Sequence, residues 1–476
     1  MQGKLKGFIS KFKYEWLIAL MFFFSSVWVV QFDGRPLFIF LELALCVVMF
    51  FMFKRAFVMP DIDVNLYFLL LSASAITAVF SNMPFSYKKA AVVMAIYAIP
   101  LYFAATYCIQ LIKENKNILH LIIKTLKVMI LTHCLWMPLQ YFLYKVFEFD
   151  INNFLFVDVF GFLSNASFVR NWTYYPSGLT WHSAVLAPLF VLGLLLFKSY
   201  PVRLLILFDA FICGNSTALI GVGFCVALLI LNKLLRREPL IVWTSKTKKQ
   251  VVALVIICII AGVFFGLFNT VLDKVIFLFT RLFSPNKDAS TEAHLAYYTD
   301  YIKVLENSNI FQILFGYGSG CSGYPYTVMY NRYTDHGNWS VESDIMSILV
   351  GRGIAGFACF YTFLARLTIK GGKKDFRYLA LMLPILLQGF GYNIQWDYLM
   401  LIEIILLGLL NADINFFEPV GTEAVKLKAP KWSEKYLAGA ERAYDKALSA
   451  LLNTKFFKAC RKKGEMLWKK LLSLFR

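Results

Sequence analysis

Residues 90–112 read Ala90-Ala-Val-Val-Met-Ala-Ile-Tyr-Ala-Ile-Pro-Leu-Tyr-Phe-Ala-Ala-Thr-Tyr-Cys-Ile-Gln-Leu-Ile112, with no charged side chain between Lys89 and Lys113. Roughly 20 apolar residues in a row are what a helix needs to cross the hydrocarbon layer of a bilayer. Eleven comparable stretches follow the same pattern: about 15–31, 36–53, 64–80, 119–147, 180–197, 203–214, 216–232, 250–268, 343–367, 378–395 and 398–411. Those at 203–214 and 398–411 are short, and 203–232 could alternatively form one long broken helix.

The composition agrees. Of the 476 residues 59% are apolar and only 16% charged, and the mean hydropathy is +0.62. Globular domains run nearer half apolar and a quarter charged, so a soluble fold is excluded. The expected fold is therefore all-α and polytopic, with about 12 transmembrane helices. The net charge of +19 would suit a nucleic-acid binder, but in a membrane protein it is first the basic bias of cytoplasmic loops. Placing Lys4, Lys6, Lys11 and Lys13 inside puts most of the basic residues on the inner side, which is the asymmetry the positive-inside rule requires. No nucleic-acid partner is expected, and membrane lipids are.

This topology divides the chain into six parts. Helices 1–5 fill 1–147, a first external loop 148–179, helices 6–9 180–268, a large external loop 269–342, and helices 10–12 343–411. A basic cytoplasmic tail covers 412–476, where Trp432, Tyr436, Ala440, Tyr444, Leu448 and Leu452 step at nearly helical period, as in an amphipathic helix on an anionic leaflet. Loops as long as the two external ones are usually functional or disordered. Both are rich in Tyr, Trp and Gly, and both read as ordered parts of the working face.

Most cysteines lie in apolar spans, so a disulfide framework is not expected. There is no CxxC, no HExxH and no paired-His spacing, which argues against a metal or other cofactor.

The second external loop carries the densest chemistry. It contains Arg281, the run Ser290-Thr-Glu-Ala-His294-Leu-Ala-Tyr-Tyr298 and a helical run through Tyr301, Val304 and Leu305. Then come Ile313-Leu-Phe-Gly-Tyr-Gly-Ser-Gly320 and Asp335-His336-Gly-Asn-Trp339-Ser-Val-Glu342-Ser-Asp344. The next span opens with Gly353-Ile-Ala-Gly356. A second patch joins Pro176-Ser-Gly-Leu-Thr-Trp181-His182 to Cys213-Gly-Asn-Ser-Thr-Ala218.

In this order the motifs resemble the O-antigen polymerase and O-antigen ligase superfamily, whose Wzy-type members carry an external loop with Arg, then a helix, "plfGxGxG", a His- or Glu-bearing stretch and a span opening "xxGixG". The resemblance covers the span architecture of 1–411 and local motifs in 170–360. The family often has Arg where His294 stands and near Tyr175, where the nearest basic residue is Arg170. The resemblance implies a GT-C-like fold in the bacterial inner membrane, with cytoplasmic termini and a periplasmic active site. It also implies metal-independent glycosyl transfer from an undecaprenyl-diphosphate-linked oligosaccharide, with a chain-length regulator protein as a further partner. A polymerase extends the glycan on its carrier. A ligase, the nearest alternative, transfers it to lipid A core. A lipid-linked sugar flippase or transporter is the rival from another class, but it predicts internal repeats and midplane charges.

Without a metal, Arg must balance the leaving diphosphate through bidentate hydrogen bonds. Arg170, Arg281 and Arg352 are the candidates. The acceptor hydroxyl needs a base, for which His336, Glu342, Asp344 and His294 stand available. Tyr175, Trp181, His182, Tyr298 and Trp339 suit sugar binding, and the aromatic ones equally suit an interfacial belt. The bland readings are also specific. Arg170 and Arg281 could anchor at the interface, and Arg352 could pair with Glu42 or Glu403. Gly316–Gly323 reads as a flexible turn, and His133 as a packing residue.

Overall fold

The computed structural model describes residues 14–32, 34–166, 169–170, 173–180, 182–238, 295–329, 341–393 and 397–417, with isolated positions at 245, 249, 252, 442 and 446. His294, His336, Arg281, Trp181, Trp339, nearly all of the apolar stretch 250–268 and nearly all of the basic tail lie outside the described residues, as does the side chain of Arg170.

The chain is mostly helical. Among the described residues five helices precede the first loop: α1 Tyr14–Phe24, α2 Leu37–Phe53, α3 Ile62–Val79, α4 Phe85–Glu114 and α5 Asn117–Phe147. After it come α6 Ala187–Leu196, α7 Tyr200–Ile212 and α8 Ser216–Leu235. Three short helices, α9 Tyr301–Glu306, α10 Ile310–Phe315 and α11 Tyr324–Met329, lead into α12 Asp344–Lys374, α13 Phe376–Gly391 and α14 Asp397–Asn411. Among the described residues the strands form two small antiparallel hairpins, Gln31–Phe32 with Arg35–Pro36 and Val169–Arg170 with Thr173–Tyr174.

Among the described residues five helices (α3, α4, α5, α8 and α12) are long and apolar enough to cross a membrane, and shorter apolar helices accompany them. This is a helical membrane protein. Every described apolar stretch predicted from the sequence carries a helix. The pair at 203–232 is two helices, because the turn at Gly214 (φ +69°) intervenes and Asn215 caps the second through bonds from the amides of Thr217 and Ala218 at 2.8 and 3.3 Å. α14 is short for a simple reason. It is buried all round from Tyr398 to Leu410, and a helix apolar on every side belongs in a core. α6 is buried on every residue too.

Contacts between helix ends sort the bundle into two ends. At one, Tyr107 Oη donates to the Arg55 carbonyl (3.1 Å) and Arg366 pairs with Asp61 and Asp63. Lys370 donates to Asn411 (2.6 Å) and Arg203 to the carbonyl of Phe197 (2.7 Å). At the other, Tyr298 meets Ser343, Tyr392 meets His182, and Cys321 donates to the Tyr87 carbonyl. Within α3–α5, α6–α8 and α12–α14, successive helices therefore alternate in direction.

The chain does not project away from the bundle after α5. It doubles back along it. Asn152 accepts from Trp136 Nε1 at 2.8 Å, eleven positions before the end of α5, or ~16 Å back at 1.5 Å per residue. The amide of Gly178 donates to Gln140 Oε1 (2.8 Å) and that of Leu179 to His133 Nδ1 (3.1 Å), which is ~21 Å back. The carbonyl of Gly178 takes Asn152 Nδ2 (2.9 Å), and that of Leu179 takes the amide of Trp28 (2.9 Å). Non-helical backbone at such depth survives where protein satisfies each polar group, and these side chains do so. Asn152 and residues 176–180 are thus packed into the bundle.

Candidate functional site

Two glycine-rich motifs interlock. α12 is broken at Gly353, whose φ of 67° and ψ of 179° leave the helical region. The break frees carbonyls of the preceding turn. The loop after α10 supplies the donors: Tyr317 N to Val350 O at 2.9 Å and Gly318 N to Gly351 O at 2.8 Å. Gly316 and Gly318 hold positive φ angles of 80° and 107°, which glycine adopts at little cost. A Cβ at Gly316 would collide with the backbone of Gly351 and Arg352, and one at Gly318 would press on Ala78 and Ala91. The stretch 316–319 is buried. It is a packed seam, and the flexible turn expected from sequence is corrected. Two of its amides are spent on α12.

Ser319 follows in that seam. Its Oγ accepts from Arg352 Nε (3.3 Å) and Nη2 (3.2 Å). The guanidinium also lies 5.0 Å over the ring of Tyr67 on α3, a cation–π contact that tolerates partial desolvation. Arg352 is therefore a half-buried cation fixed in orientation at a helix break.

The N-terminus of the same helix carries the acids. Ser343 caps it, and Asp344 lies in its first turn, 2% exposed and packed beside Gly389 of α13. A carboxylate there is favoured by the helix dipole. Glu342, by contrast, is exposed. Tyr298 bridges to this end. Its hydroxyl is 2.6 Å from Ser343 Oγ and 2.8 Å from the carbonyl of Phe390. A carbonyl can only accept, so Tyr298 donates to Phe390 and Ser343 donates to Tyr298. Burial raises the Tyr298 phenol above its ordinary pKa, so it keeps that proton. Tyr361, farther along α12, packs its ring on Phe357 at 4.6 Å and on Phe360 at 5.4 Å.

His182 closes the other side. Its Nδ1 accepts from the amide of Ala184 at 3.1 Å. Its Nε2 therefore carries the proton and faces Tyr392 Oη at 3.3 Å, with the two rings stacked at 5.3 Å. Tyr175 lies against Gly214, where a Cβ would enter its ring. Gln388 bonds the carbonyls of Ala187 and Thr217, both at 3.2 Å, and so fastens α13 to α6 and α8.

The structure thus brings Tyr298, Glu342, Asp344, His182 and Tyr175 to one end of the bundle, with Arg352 deeper in the same helix. Arg170 lies in the small hairpin whose Tyr174 stacks on Tyr144 at 4.1 Å. The sequence reading missed Ser319, Tyr67 and Tyr392. Only Ser319 had a local signal, as the polar residue inside the glycine run. Among the described residues no group of three His, Cys, Asp or Glu could hold a metal. His133 is a packing residue: it accepts from Leu179, and its Nε2–H faces Ser26 Oγ at 3.0 Å.

No protein-family model matches this chain, and no curated protein matches it.

Proposed function

We propose that this protein is a bacterial surface-polysaccharide polymerase of the O-antigen type. It would transfer a growing glycan from its undecaprenyl diphosphate carrier to the next lipid-linked repeat unit. The observation that carries this reading is Arg352, a fixed cation at a helix break, on the same helix as an acidic N-terminus ringed by Tyr298, Tyr392 and His182.

The chemistry balances with these groups. Glu342, the exposed acid, takes the proton of the acceptor hydroxyl. The hydroxyl oxygen forms the new glycosidic bond as the bond from the sugar to the diphosphate oxygen breaks. The diphosphate leaves with the added negative charge, which Arg352 stabilises. Pre-oriented donors act most strongly where water is excluded. Ser319 and Tyr67 supply that orientation. Arg281 and Arg170 would complete the diphosphate site, and His336 or His294 could share the base role.

The wider topology belongs to the same proposal: twelve spans, a GT-C-like arrangement, the inner membrane, and cytoplasmic termini. What supports the orientation is charge. Arg55, Lys116, Lys198, Arg366 and Lys374 gather at the end opposite the site. Basic residues favour the cytoplasmic side, so the site end would be periplasmic.

The test is reconstitution. Purified protein in lipid receives a polyprenyl-diphosphate-linked repeat unit with EDTA present, and the products are run on a gel. A ladder of lipid-linked oligomers is expected. Transfer only after addition of lipid A core would instead identify a ligase. No product beside an active control enzyme would sink glycosyl transfer and make transport the next reading to test.

A further inference from the structure

The segment that follows α5 has two faces. Residues Asn153–Val159 form a π-helix with no buried residue. Phe156, Val157 and Leu163 pack inward on Val27, Val29 and Leu179. Phe154, Val159 and Phe160 turn outward and are 45%, 54% and 56% exposed. Such a contiguous apolar surface marks a contact with another apolar phase.

The outward face is not isolated. Ring contacts run from Phe160 to Phe162 (5.4 Å), from Phe162 to Phe32 (6.1 Å) and from Phe32 to Phe40 (6.2 Å). Phe40 begins an exposed row on α2 that continues through Leu43, Val47 and Phe50. These positions are three or four apart, so they share one helix face. In a helical membrane protein an exposed apolar face of that length meets acyl chains. The π-helix extends the same surface around the bundle without a gap. The segment is also held at depth. Asn152 is buried and bonded to Trp136 and Gly178, and Asp150 accepts from the amides of Asn152 and Asn153 at 3.1 and 3.2 Å. Asp158, exposed on the same helix, marks its polar edge.

We infer that Asn153–Phe162 is an interfacial membrane element. Phe154, Val159 and Phe160 insert among lipid chains of the leaflet at the site end, with Asp158 at the headgroup level. The occupant of this face is lipid, in the manner of amphipathic helices lying in the interface plane. The inference rests on the chain being a membrane protein and not on the glycosyl-transfer reading.

Nitroxide labels test it. The variants Val159→Cys and Phe160→Cys are labelled in the full-length protein and placed in nanodiscs of phosphatidylethanolamine and phosphatidylglycerol. Lys303→Cys, 61% exposed at its side chain, gives the water-facing comparison, and the signal of the labelled unsubstituted chain is subtracted. Both positions are exposed, so neither substitution removes a packing contact of the core. The expected result is faster collision with molecular oxygen than with a water-soluble nickel chelate at 159 and 160, and the reverse at 303. Faster collision with nickel at 159 and 160 would overturn the proposal. So would low accessibility to both with dipolar broadening between labels, because a second copy would then cover the face.

Discussion

The amide of Gly318 donates to the carbonyl of Gly351 across 2.8 Å, and this one bond joins two motifs that lie 33 residues apart. It fixes the seam on the broken turn of α12, and the seam in turn presents Ser319 to Arg352. The glycines on both sides are there because backbone meets backbone.

Gly353→Ala should therefore destabilise the protein. A backbone at φ 67° and ψ 179° is essentially reserved to glycine and costs another residue about 1–3 kcal/mol, and the new Cβ would also strike the carbonyl of Leu314. Gly223→Ala, with nothing within 4 Å of the added Cβ, should be neutral or slightly stabilising, since alanine is the better helix former. Thermal midpoints in detergent compare the two. Equal midpoints would show that the seam contributes no strain.

His133→Ala should leave the Leu179 amide buried without its acceptor, a loss of about 1–3 kcal/mol. His133→Asn places an acceptor oxygen near the lost Nδ1 and should recover part of that. If both variants melt together, the hydrogen bond is not what holds the doubled-back segment.

Arg352→Ala should cut polymer synthesis roughly 100- to 1000-fold, the usual loss for one transition-state charge contact, with the membrane level of the protein unchanged. Arg352→Lys should restore little, because an ammonium lacks the planar fork. Ser319→Ala should lower activity less than either. A normal chain-length ladder from Arg352→Ala would remove this residue from the reaction.

Asp61 offers a pH test at the opposite end. Burial raises its carboxyl from 3.8 to about 6, with Arg366 opposing the shift. The folded chain thus binds this proton more tightly than the unfolded chain does. Its contribution is full below about pH 4 and is lost as pH rises through about 6, by about 3 kcal/mol at 1.36 kcal/mol per unit. Asp61→Asn should flatten that part of the stability profile. A profile unchanged by the substitution would assign the pH dependence to other groups.

The helices were legible because lipid imposes a simple rule on sequence: apolar runs long enough to cross, ended by charge. Tyr301 to Leu305 was equally readable as a helical run, and α9 is there. The break at Gly353 was not. Glycine is common in membrane helices, and nothing local distinguishes Gly353 from Gly356, which stays helical. The doubling back of 148–179 was hidden for a related reason. His133, Gln140 and Asn152 look like scattered polar residues until the chain brings Gly178 and Leu179 beside them. Of the site, the sequence placed Asp344, Glu342, His182, Tyr298 and Arg352 at one end of the molecule. It could not pair Tyr298 with Ser343, 45 residues on, or Tyr392 with His182, 210 residues back, since no local period records such contacts.

The interruption of α12 has an electrostatic consequence. An unbroken helix carries its positive pole at one terminus. Breaking it at Gly353 creates a second positive pole inside the bundle, at the start of the half that runs on to Lys374. The matching negative pole of the first half is offset by the amides of Tyr317 and Gly318. The backbone itself thus adds positive potential beside Arg352, so an anion arriving there meets a field set by the path of the main chain as well as by the guanidinium.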